Sequence, residues 1–226
     1  MSKERRLAVI AIDGPAGAGK STVARRLAER LGFTYIDTGA MYRAVALWAQ
    51  RQSVSLTDMH RMEQLAQAAS IELDPAGSRV LLNGEDVTQA IRAAEVAPAA
   101  SLAAAIPGVR RAMVDKQRAM AASASVVIEG RDIGSVVFPQ ADVKIFLDAD
   151  PAERVRRRLA ESEGAADTIA EQLKQRDDRD RTRAESPLVQ SPDAIYIDST
   201  GLALEDVEEA ILKVIRAKLS NGKGFK

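Results

Sequence analysis

Apolar and polar positions form two alternating patterns along the chain. Short apolar runs, typical of buried strands, lie at residues 7–12, 33–37, 125–128, 143–147 and 194–197. Amphipathic segments follow them; in residues 21–31, for example, Val23, Leu27 and Leu31 recur at helical spacing before Gly32. Strands that alternate with helices predict an α/β fold built on a parallel sheet.

The pattern changes between residues 54 and 105. A helix is expected at residues 58–69, followed by short strand-like pieces at 71–73 and 79–82. Asn83-Gly84 is a strong hairpin signal, and residues 85–88 would form the return strand. A small antiparallel piece does not continue a parallel sheet. We therefore expect residues 54–105 to be an inserted subdomain, with residues 1–53 and 106–226 forming the core.

Composition narrows the class of protein. The 226 residues include 32 basic and 32 acidic side chains, so no global field attracts nucleic acid or an acidic membrane. The chain has no cysteine and one histidine, His60, which disfavours disulfides, thiol chemistry and a histidine-ligated metal site. No signal peptide or membrane-length apolar run is evident. We expect a cytoplasmic monomer without nucleic-acid or membrane partners.

The first apolar run leads into a glycine-rich phosphate-binding motif. Gly14, Gly19, Lys20 and Ser21 match the spacing G-x-x-x-x-G-K-[ST] between a strand and a helix. In such a loop, backbone N–H groups surround phosphate oxygens at a helix N-terminus, the lysine reaches the β and γ phosphates of ATP, and the hydroxyl ligates Mg²⁺. The alternative is a glycine-rich turn without a ligand. The predicted ATP-binding residues of this loop are Gly14, Pro15, Ala16, Gly17, Ala18, Gly19, Lys20, Ser21 and Thr22.

Further charged residues lie after later strands, where ligands of open α/β sheets bind. Thr38 and Arg43 follow the second strand, although an N-cap threonine and a surface arginine would look the same. Glu129 has the position of a Walker B carboxylate that helps to hold Mg²⁺; a helix-capping acid is the alternative. The charges of the helix that begins at Pro107, including Arg110, read most simply as a solvated face.

A charge-rich helix near residues 176–183 carries a further candidate anion site. Arg176, Arg179, Asp180 and Arg183 share one face at helical spacing, so the arginines are positioned to converge on one phosphate. A surface ladder of alternating charge is the alternative. The small polar stretch at 162–167 is expected to be a flexible connection, and the tail at 220–226 is expected to fray.

Together these motifs resemble the bacterial cytidylate kinase family of nucleoside monophosphate kinases. The resemblance rests on residues 12–22, 37–43, 107–118 with Ser101, 129–139 (beginning Glu-Gly-Arg-Asp-Ile-Gly) and 176–188 (beginning Arg-Asp-Asp-Arg-Asp-Arg). It implies a P-loop kinase fold: a five-stranded parallel sheet flanked by helices, a small inserted α+β monophosphate-binding subdomain, and a helical lid at about 152–183. Thr38 and Glu129 stand where family members often have serine and aspartate, and each keeps the functional group.

The resemblance also implies roles for individual residues. Thr38, Arg43 and Arg131 would position the acceptor phosphate, and Ser101, Arg110 and Asp132 would contact cytosine. Arg176, Asp180 and Arg183 would meet the sugar and phosphates, and Arg157 and Arg158 would bind ATP from the lid. Lys20, Arg131, Arg176 and Arg183 are the expected catalytic residues, and Ser21 and Glu129 the expected Mg²⁺ ligands.

The residue types suit transfer of a phosphoryl group to an acceptor that already carries phosphate. Such an acceptor is mostly dianionic at neutral pH and needs no catalytic base, whereas arginines and Mg²⁺ neutralise the charge that develops. Together with the resemblance, which implies the substrates, this leads us to expect ATP-dependent phosphorylation of CMP and dCMP to CDP and dCDP, a reaction of pyrimidine nucleotide metabolism. The alternatives are an adenylate, thymidylate or shikimate kinase, or a regulatory ATPase that binds a protein partner.

Overall fold

A parallel five-stranded sheet forms the centre of the molecule. The computed structural model describes residues 7–161 and 165–221. The sheet consists of β1 (Val9–Asp13), β2 (Thr34–Asp37), β6 (Val126–Gly130), β7 (Val143–Asp148) and β8 (Ile195–Asp198), in the order β2-β6-β1-β7-β8. All four pairings are parallel, which confirms the predicted sheet. Their carboxyl ends, where ligands bind in such sheets, therefore lie along one edge.

Helices cover both faces of this sheet. The helices are α1 (Lys20–Leu31), α2 (Thr38–Arg51), α3 (Met59–Ala68), α4 (Val96–Ala103), α5 (Pro107–Met120), α6 (Pro151–Glu161), α7 (Ala166–Thr182) and α8 (Leu204–Asn221). On β1, Ala11 belongs to the core shared with α2, whereas Ile10 and Ile12 belong to the core shared with α1 and α8. Successive residues of a strand point to opposite faces, so the continuous apolar run of β1 fits a strand buried on both sides.

The segment predicted as an insertion carries a second, antiparallel sheet. It contains β3 (Ile71–Leu73), β4 (Val80–Leu82) and β5 (Glu85–Asp86), and Asn83 and Gly84 make the predicted turn with positive φ angles. Its apolar residues, including Met62 and Val80, pack in the same core as Met41 of α2. This segment therefore packs directly onto α2.

Among the element boundaries that differ from the predictions, two are informative. The return strand ends at Asp86 rather than residue 88, because the Asp86 carboxylate accepts hydrogen bonds from the backbone N–H and the hydroxyl of Thr88. Such a side-chain turn competes with strand pairing. Strand β6 continues to Gly130, so Glu129 lies within the strand and not beyond its tip.

Parts of two expectations lie outside the described residues. These are the first part of the predicted connection, residues 162–164, and most of the predicted frayed tail, residues 222–226. Among the described residues, no helix is long and apolar enough to cross a membrane.

Candidate active site

A cleft of about 570 Å³ opens at the carboxyl ends of the central strands. It brings together all of the predicted site residues except Gly14, Pro15 and Arg179. The predicted residues that line it are Ala16, Gly17, Ala18, Gly19, Lys20, Ser21, Thr22, Thr38, Arg43, Ser101, Arg110, Glu129, Arg131, Asp132, Arg157, Arg158, Arg176, Asp180 and Arg183. Residues separated by more than 160 positions in the sequence therefore share one site.

Glycines give the phosphate loop, residues 14–21, its tight path. A Cβ on Gly14 would lie only 1.9 Å from the carbonyl oxygen of Leu147, so the loop passes too close to β7 for any other residue. Gly19 has φ 90° and is the N-cap of α1, where no side chain takes the capping bond. The loop thus leads directly into a helix N-terminus, a favourable place for an anion.

Lys20 lies buried beneath this loop. Its Nζ donates a hydrogen bond of 2.6 Å to the carbonyl oxygen of Pro15. Burial and, to a smaller extent, the guanidinium group of Arg131 lower the pKa of Lys20 to about 7, while the carboxylate of Glu129 acts in the opposite direction. A bound anion would restore the positive charge of Lys20.

Helix α2, which follows the second strand, supplies Thr38 and Arg43, and Asp37 at the end of β2 holds Arg43. The carboxylate of Asp37 caps α2 through the N–H of Ala40 at 2.8 Å and accepts a 3.1 Å bond from Nη2 of Arg43. The hydroxyl of Thr38 donates to the carbonyl oxygen of Glu129 at 2.7 Å, so Thr38 ties the start of α2 to β6 and does not act as the N-cap.

The residues that the resemblance assigns to binding of cytosine form part of a buried ion-pair network. Nη2 of Arg110 donates to Oδ2 of Asp132, and Nη1 donates to the carbonyl oxygen of Ala104 at 3.1 Å. Nη2 of Arg183 reaches the other carboxylate oxygen of Asp132 at 3.4 Å. Within the described residues, the buried hydroxyl of Ser101 has no hydrogen-bond partner. Arg110 is therefore a buried ion-pair partner, and the expectation of a solvated face is wrong for it.

Beside this network, α7 faces Arg131. Nε of Arg131 donates to Oδ2 of Asp180 at 2.9 Å, and Arg183 lies 3.6 Å from Oδ1. Burial alone would raise the pKa of Asp180, but Arg131, Arg176 and Arg183 hold it below its usual value. Burial, followed by repulsion from Arg131, lowers the pKa of Arg176 to about 10. Like charges crowded in this way favour binding of an anion between them.

Arg179 does not line the cleft, and its predicted convergence with Arg176 and Arg183 is wrong. Consecutive helical residues are about 100° apart. The buried face of α7 is centred on Asp177 and Asp180, and Arg179 lies to one side of it. The alternating charges of α7 gave no indication that Asp177 is buried.

Helix α6 carries Arg157 towards the phosphate loop. Its guanidinium donates to Oγ of Ser199 at 2.9 Å, to the carbonyl oxygen of Ser199 at 2.7 Å and to that of Ala18 at 3.3 Å. Arg158 also lines the cleft. Leu202 and Val207, which no motif indicated, complete an apolar wall on this side.

Asp13 is a buried residue that sequence reasoning missed. At the end of β1 its two carboxylate oxygens accept hydrogen bonds from the N–H groups of Ile133, at 2.8 Å, and Gly134, at 2.7 Å. Burial raises the pKa of Asp13 to about 6 despite these bonds. Asp13 thereby joins the start of the phosphate loop to the turn that follows Asp132. Its place at the end of a buried strand was the available signal.

Comparison with known proteins places this cleft in a family. The family model described as cytidylate kinase matches residues 10–217. A cytidylate kinase of Solibacter usitatus is 63% identical over 99% of this chain and 98% of its own length. A cytidylate kinase of Pelotomaculum thermopropionicum is 52% identical over 95% and 96% of the two chains. A crystal structure of an uncharacterized protein from Eubacterium ventriosum shares the fold, with a TM-score of 0.53, 15% identity, and coverage of 92% of this chain and 98% of that one.

Proposed function

This chain belongs to the cytidylate kinase family of phosphotransferases, and we propose that it transfers the γ-phosphoryl group of ATP directly to CMP and dCMP, forming CDP and dCDP. One observation carries the proposal. Among the described residues, nine basic and five acidic side chains line the cleft, although the whole chain has no formal net charge. This local excess of positive charge suits two phosphorylated substrates that meet in one site.

The donor side is proposed to be the phosphate loop with the arginines of α6. Backbone N–H groups and Lys20 would bind the phosphates of ATP, with Arg157 and Arg158 completing the donor site. Arg157 already bonds to the loop at Ala18, which supports a role next to the donor phosphates. We propose that α6 and α7 form the lid, whose closure would exclude water and so prevent hydrolysis of ATP.

The acceptor phosphate is proposed to lie between Thr38, Arg43 and Arg131, with Arg176 and Arg183 reaching it from α7. A phosphate monoester has a second pKa of about 6 and attacks without a general base. The position of His60, the single histidine of the chain, agrees with a reaction that needs no histidine base. His60 hydrogen bonds to Gln64 on the exposed side of α3 and is not a cleft residue. Direct transfer therefore depends on positioning and charge neutralisation.

The base of the acceptor is proposed to meet Asp132, Arg110 and Ser101. Cytosine presents an amino donor beside ring and carbonyl acceptors, so a carboxylate, a guanidinium and a hydroxyl complement it. The hydroxyl of Ser101 is buried at the cleft wall without a partner among the described residues, which suits a ligand contact. Ser101 would be the contribution of the inserted subdomain, residues 54–105, to monophosphate binding.

The residues present fit a magnesium ion that is held partly by substrate. No cluster of three or more histidine, cysteine, aspartate or glutamate side chains among the described residues forms a complete metal cage. Mg²⁺ commonly takes one or two protein oxygens, substrate phosphates and water. Ser21 and Glu129 would hold it here, and when bound it would neutralise charge on the β and γ phosphates.

An acceptor screen tests the function. ADP formation from ATP and Mg²⁺ should depend on CMP or dCMP, with weaker turnover of UMP and little turnover of AMP, dTMP or shikimate. Preferential use of AMP, dTMP or shikimate would identify the corresponding rival kinase. Slow ATP hydrolysis without dependence on any acceptor would instead indicate a regulatory ATPase.

We also propose that the protein acts as a cytoplasmic monomer. In the described residues the large exposed apolar side chains, such as Met59, Leu102 and Tyr196, lie on separate elements. Light scattering coupled to size-exclusion chromatography would test the monomer, and fractionation of cells would test the compartment.

A further inference from the structure

A buried ion pair joins both lid helices to the backbone of the phosphate loop. Nη1 of Arg154, on α6, donates to Oδ2 of Asp177, on α7, and also to the carbonyl oxygen of Ala16 at 3.1 Å. Oδ1 of Asp177 accepts the N–H of Ala16 at 3.2 Å. The pair thus hydrogen bonds to both the N–H and the carbonyl group of one loop residue, Ala16. Neither Arg154 nor Asp177 lines the cleft.

The contact with α6 extends along the loop and down to the sheet. Nε of Arg154 donates to the carbonyl oxygen of Ala149, directly after β7, at 3.2 Å. A Cβ on Gly17 would lie 3.1 Å from Cβ of Arg154, so the backbone of α6 packs closely against the loop. The Arg154 side chain therefore ties together β7, the phosphate loop and α7.

The same pair determines where the acceptor-site residues of α7 lie. Asp177 follows Arg176 directly and precedes Asp180 by three residues, one turn of the helix. Asp180 in turn bonds to Arg131 at 2.9 Å. A short, fully bonded path thus runs from Ala16 through Asp177 and Asp180 to Arg131. Any shift of Asp177 against the loop would carry Arg176 and Asp180 with it.

We propose that Arg154 and Asp177 are positioning residues that fix the donor-phosphate loop relative to Arg176 and Asp180, an inference that rests on the proposed phosphoryl transfer. A buried ion pair is weak evidence for stability alone, because desolvation offsets much of the attraction between the charges. Here the pair satisfies two polar groups of the loop backbone as well. Its contribution to the reaction is to hold donor and acceptor groups in register, where an error of about 1 Å can cost about 100-fold in rate.

The test compares two adjacent aspartates. Asp177→Asn removes the charge of the buried carboxylate with little change of shape, and Asp178→Asn does the same at an exposed position. Both variants are assayed with ATP and CMP below their unfolding midpoints, after circular dichroism has verified folding. We expect Asp177→Asn to lower kcat by about 10-fold to 100-fold, with KM for CMP within about threefold, because the acceptor contacts outside α7 are kept while alignment is lost. Asp178→Asn should match the wild type.

A structural role alone would move only the unfolding midpoint, so equal kcat values for folded Asp177→Asn and Asp178→Asn would overturn the proposal. If Asp177→Asn does not fold, Arg154→Lys tests the same link, because lysine keeps the charge but loses the fork that reaches Ala16, Ala149 and Asp177 together. A fall in kcat at constant KM supports the proposal, and an unchanged kcat overturns it. A wild-type protein without CMP-dependent turnover would refute the proposed function itself, a result that the variants do not mimic.

Discussion

The hydroxyl group of Tyr35 donates a hydrogen bond of 2.9 Å to Oε1 of Glu129, and both side chains are buried. Burial raises the pKa of Tyr35, and the charge of Glu129 raises it further, so the phenol remains a proton donor. The bond fixes one oxygen of the carboxylate that we propose as a Mg²⁺ ligand. Tyr35 itself lies outside the cleft.

Tyr35→Phe should therefore weaken both the fold and the response to Mg²⁺. Leaving a buried carboxylate oxygen unpaired costs about 1–3 kcal/mol of unfolding free energy. Titration of activity with Mg²⁺ should give a higher half-saturation concentration, because the orientation of Glu129 is less restricted. Tyr196→Phe is the matched control, since Tyr196 is half exposed and stacks on Phe146 away from the cleft. An unchanged Mg²⁺ response in folded Tyr35→Phe would argue against Glu129 at the metal.

Asp132→Ala should separate cytosine from uracil substrates. Turnover of CMP and dCMP should fall far more than turnover of UMP, because uracil presents a carbonyl group where cytosine presents an amine; a lost bidentate base contact is worth about 1–3 kcal/mol. The variant also frees Arg110 and Arg183 from their shared partner, so its stability should be measured alongside the kcat/KM values. Asp115→Asn, on the exposed side of α5, serves as the control. Equal losses on all three monophosphates would refute the base-reading role.

Arg176→Ala and Arg179→Ala test which charges of α7 act on the substrates. Arg176 is repelled by Arg131, so its removal should leave the unfolding midpoint unchanged or raise it while kcat falls. Arg179 lies outside the cleft, and its removal should leave kcat and KM unchanged. Identical kinetics for the two variants would indicate that the whole ladder is a surface feature.

Arg183→Ala should show a different combination of effects. Arg183 binds Asp132 and also donates from Nε to the carbonyl oxygen of Ser186 at 2.6 Å. Its removal should therefore lower both kcat and the unfolding midpoint. Thermal unfolding and steady-state kinetics on the same preparation would check this. Wild-type values of both quantities would contradict the assigned contacts.

Lys20 should make ATP binding depend on pH. With a pKa of about 7 it is mostly neutral at pH 8 in the free protein, so ATP phosphates that favour the charged form should draw in most of one proton. Calorimetry at pH 8 in two buffers of different ionisation enthalpy measures this uptake, and Lys20→Ala should abolish it. The same uptake in Lys20→Ala would assign the proton to another group.

The lowered pKa of Lys20 also determines the direction in which stability changes with pH. Between about pH 7 and 10.5 the unfolded chain holds a proton on Lys20 that the folded protein lacks. Unfolding free energy contributed by this group should therefore rise with pH over that range. Denaturant titrations of wild type and Lys20→Ala would show the difference as a steeper pH dependence of the wild type.

The sequence predicts the central sheet well because its strands are buried on both faces and are therefore continuous apolar runs. Helix α4 was not predicted, since its segment is rich in alanine and contains Pro98. Pro98 is the third residue of the helix, where its missing N–H group would have no intrahelical partner anyway. A proline in the first turn thus makes a helix difficult to predict from the sequence, although it does not disrupt the helix.

Lys20, Arg43 and Arg131 line the cleft; the sequence singled out Lys20 by motif spacing, Arg43 by its position after a strand, and Arg131 by the family resemblance. Arg154 and Asp177 were missed because their helices alternate charges, and only the packing of α6 and α7 against the loop decides which charge is buried. Asp177 and Asp178 are chemically identical neighbours in the sequence. Their difference comes from the position of Ala16, more than 160 residues earlier, and no local pattern encodes it.

The strand order has a consequence for synthesis of the protein. β1 and β2 are both made early, but they do not pair with each other, because β6 lies between them. A nascent chain that ends before residue 126 thus holds two strands without their common partner, and the phosphate loop has no finished support. Strands left unpaired in this way are prone to aggregation. More than half of this polypeptide must therefore leave the ribosome before β6 can pair with β1 and support the phosphate loop.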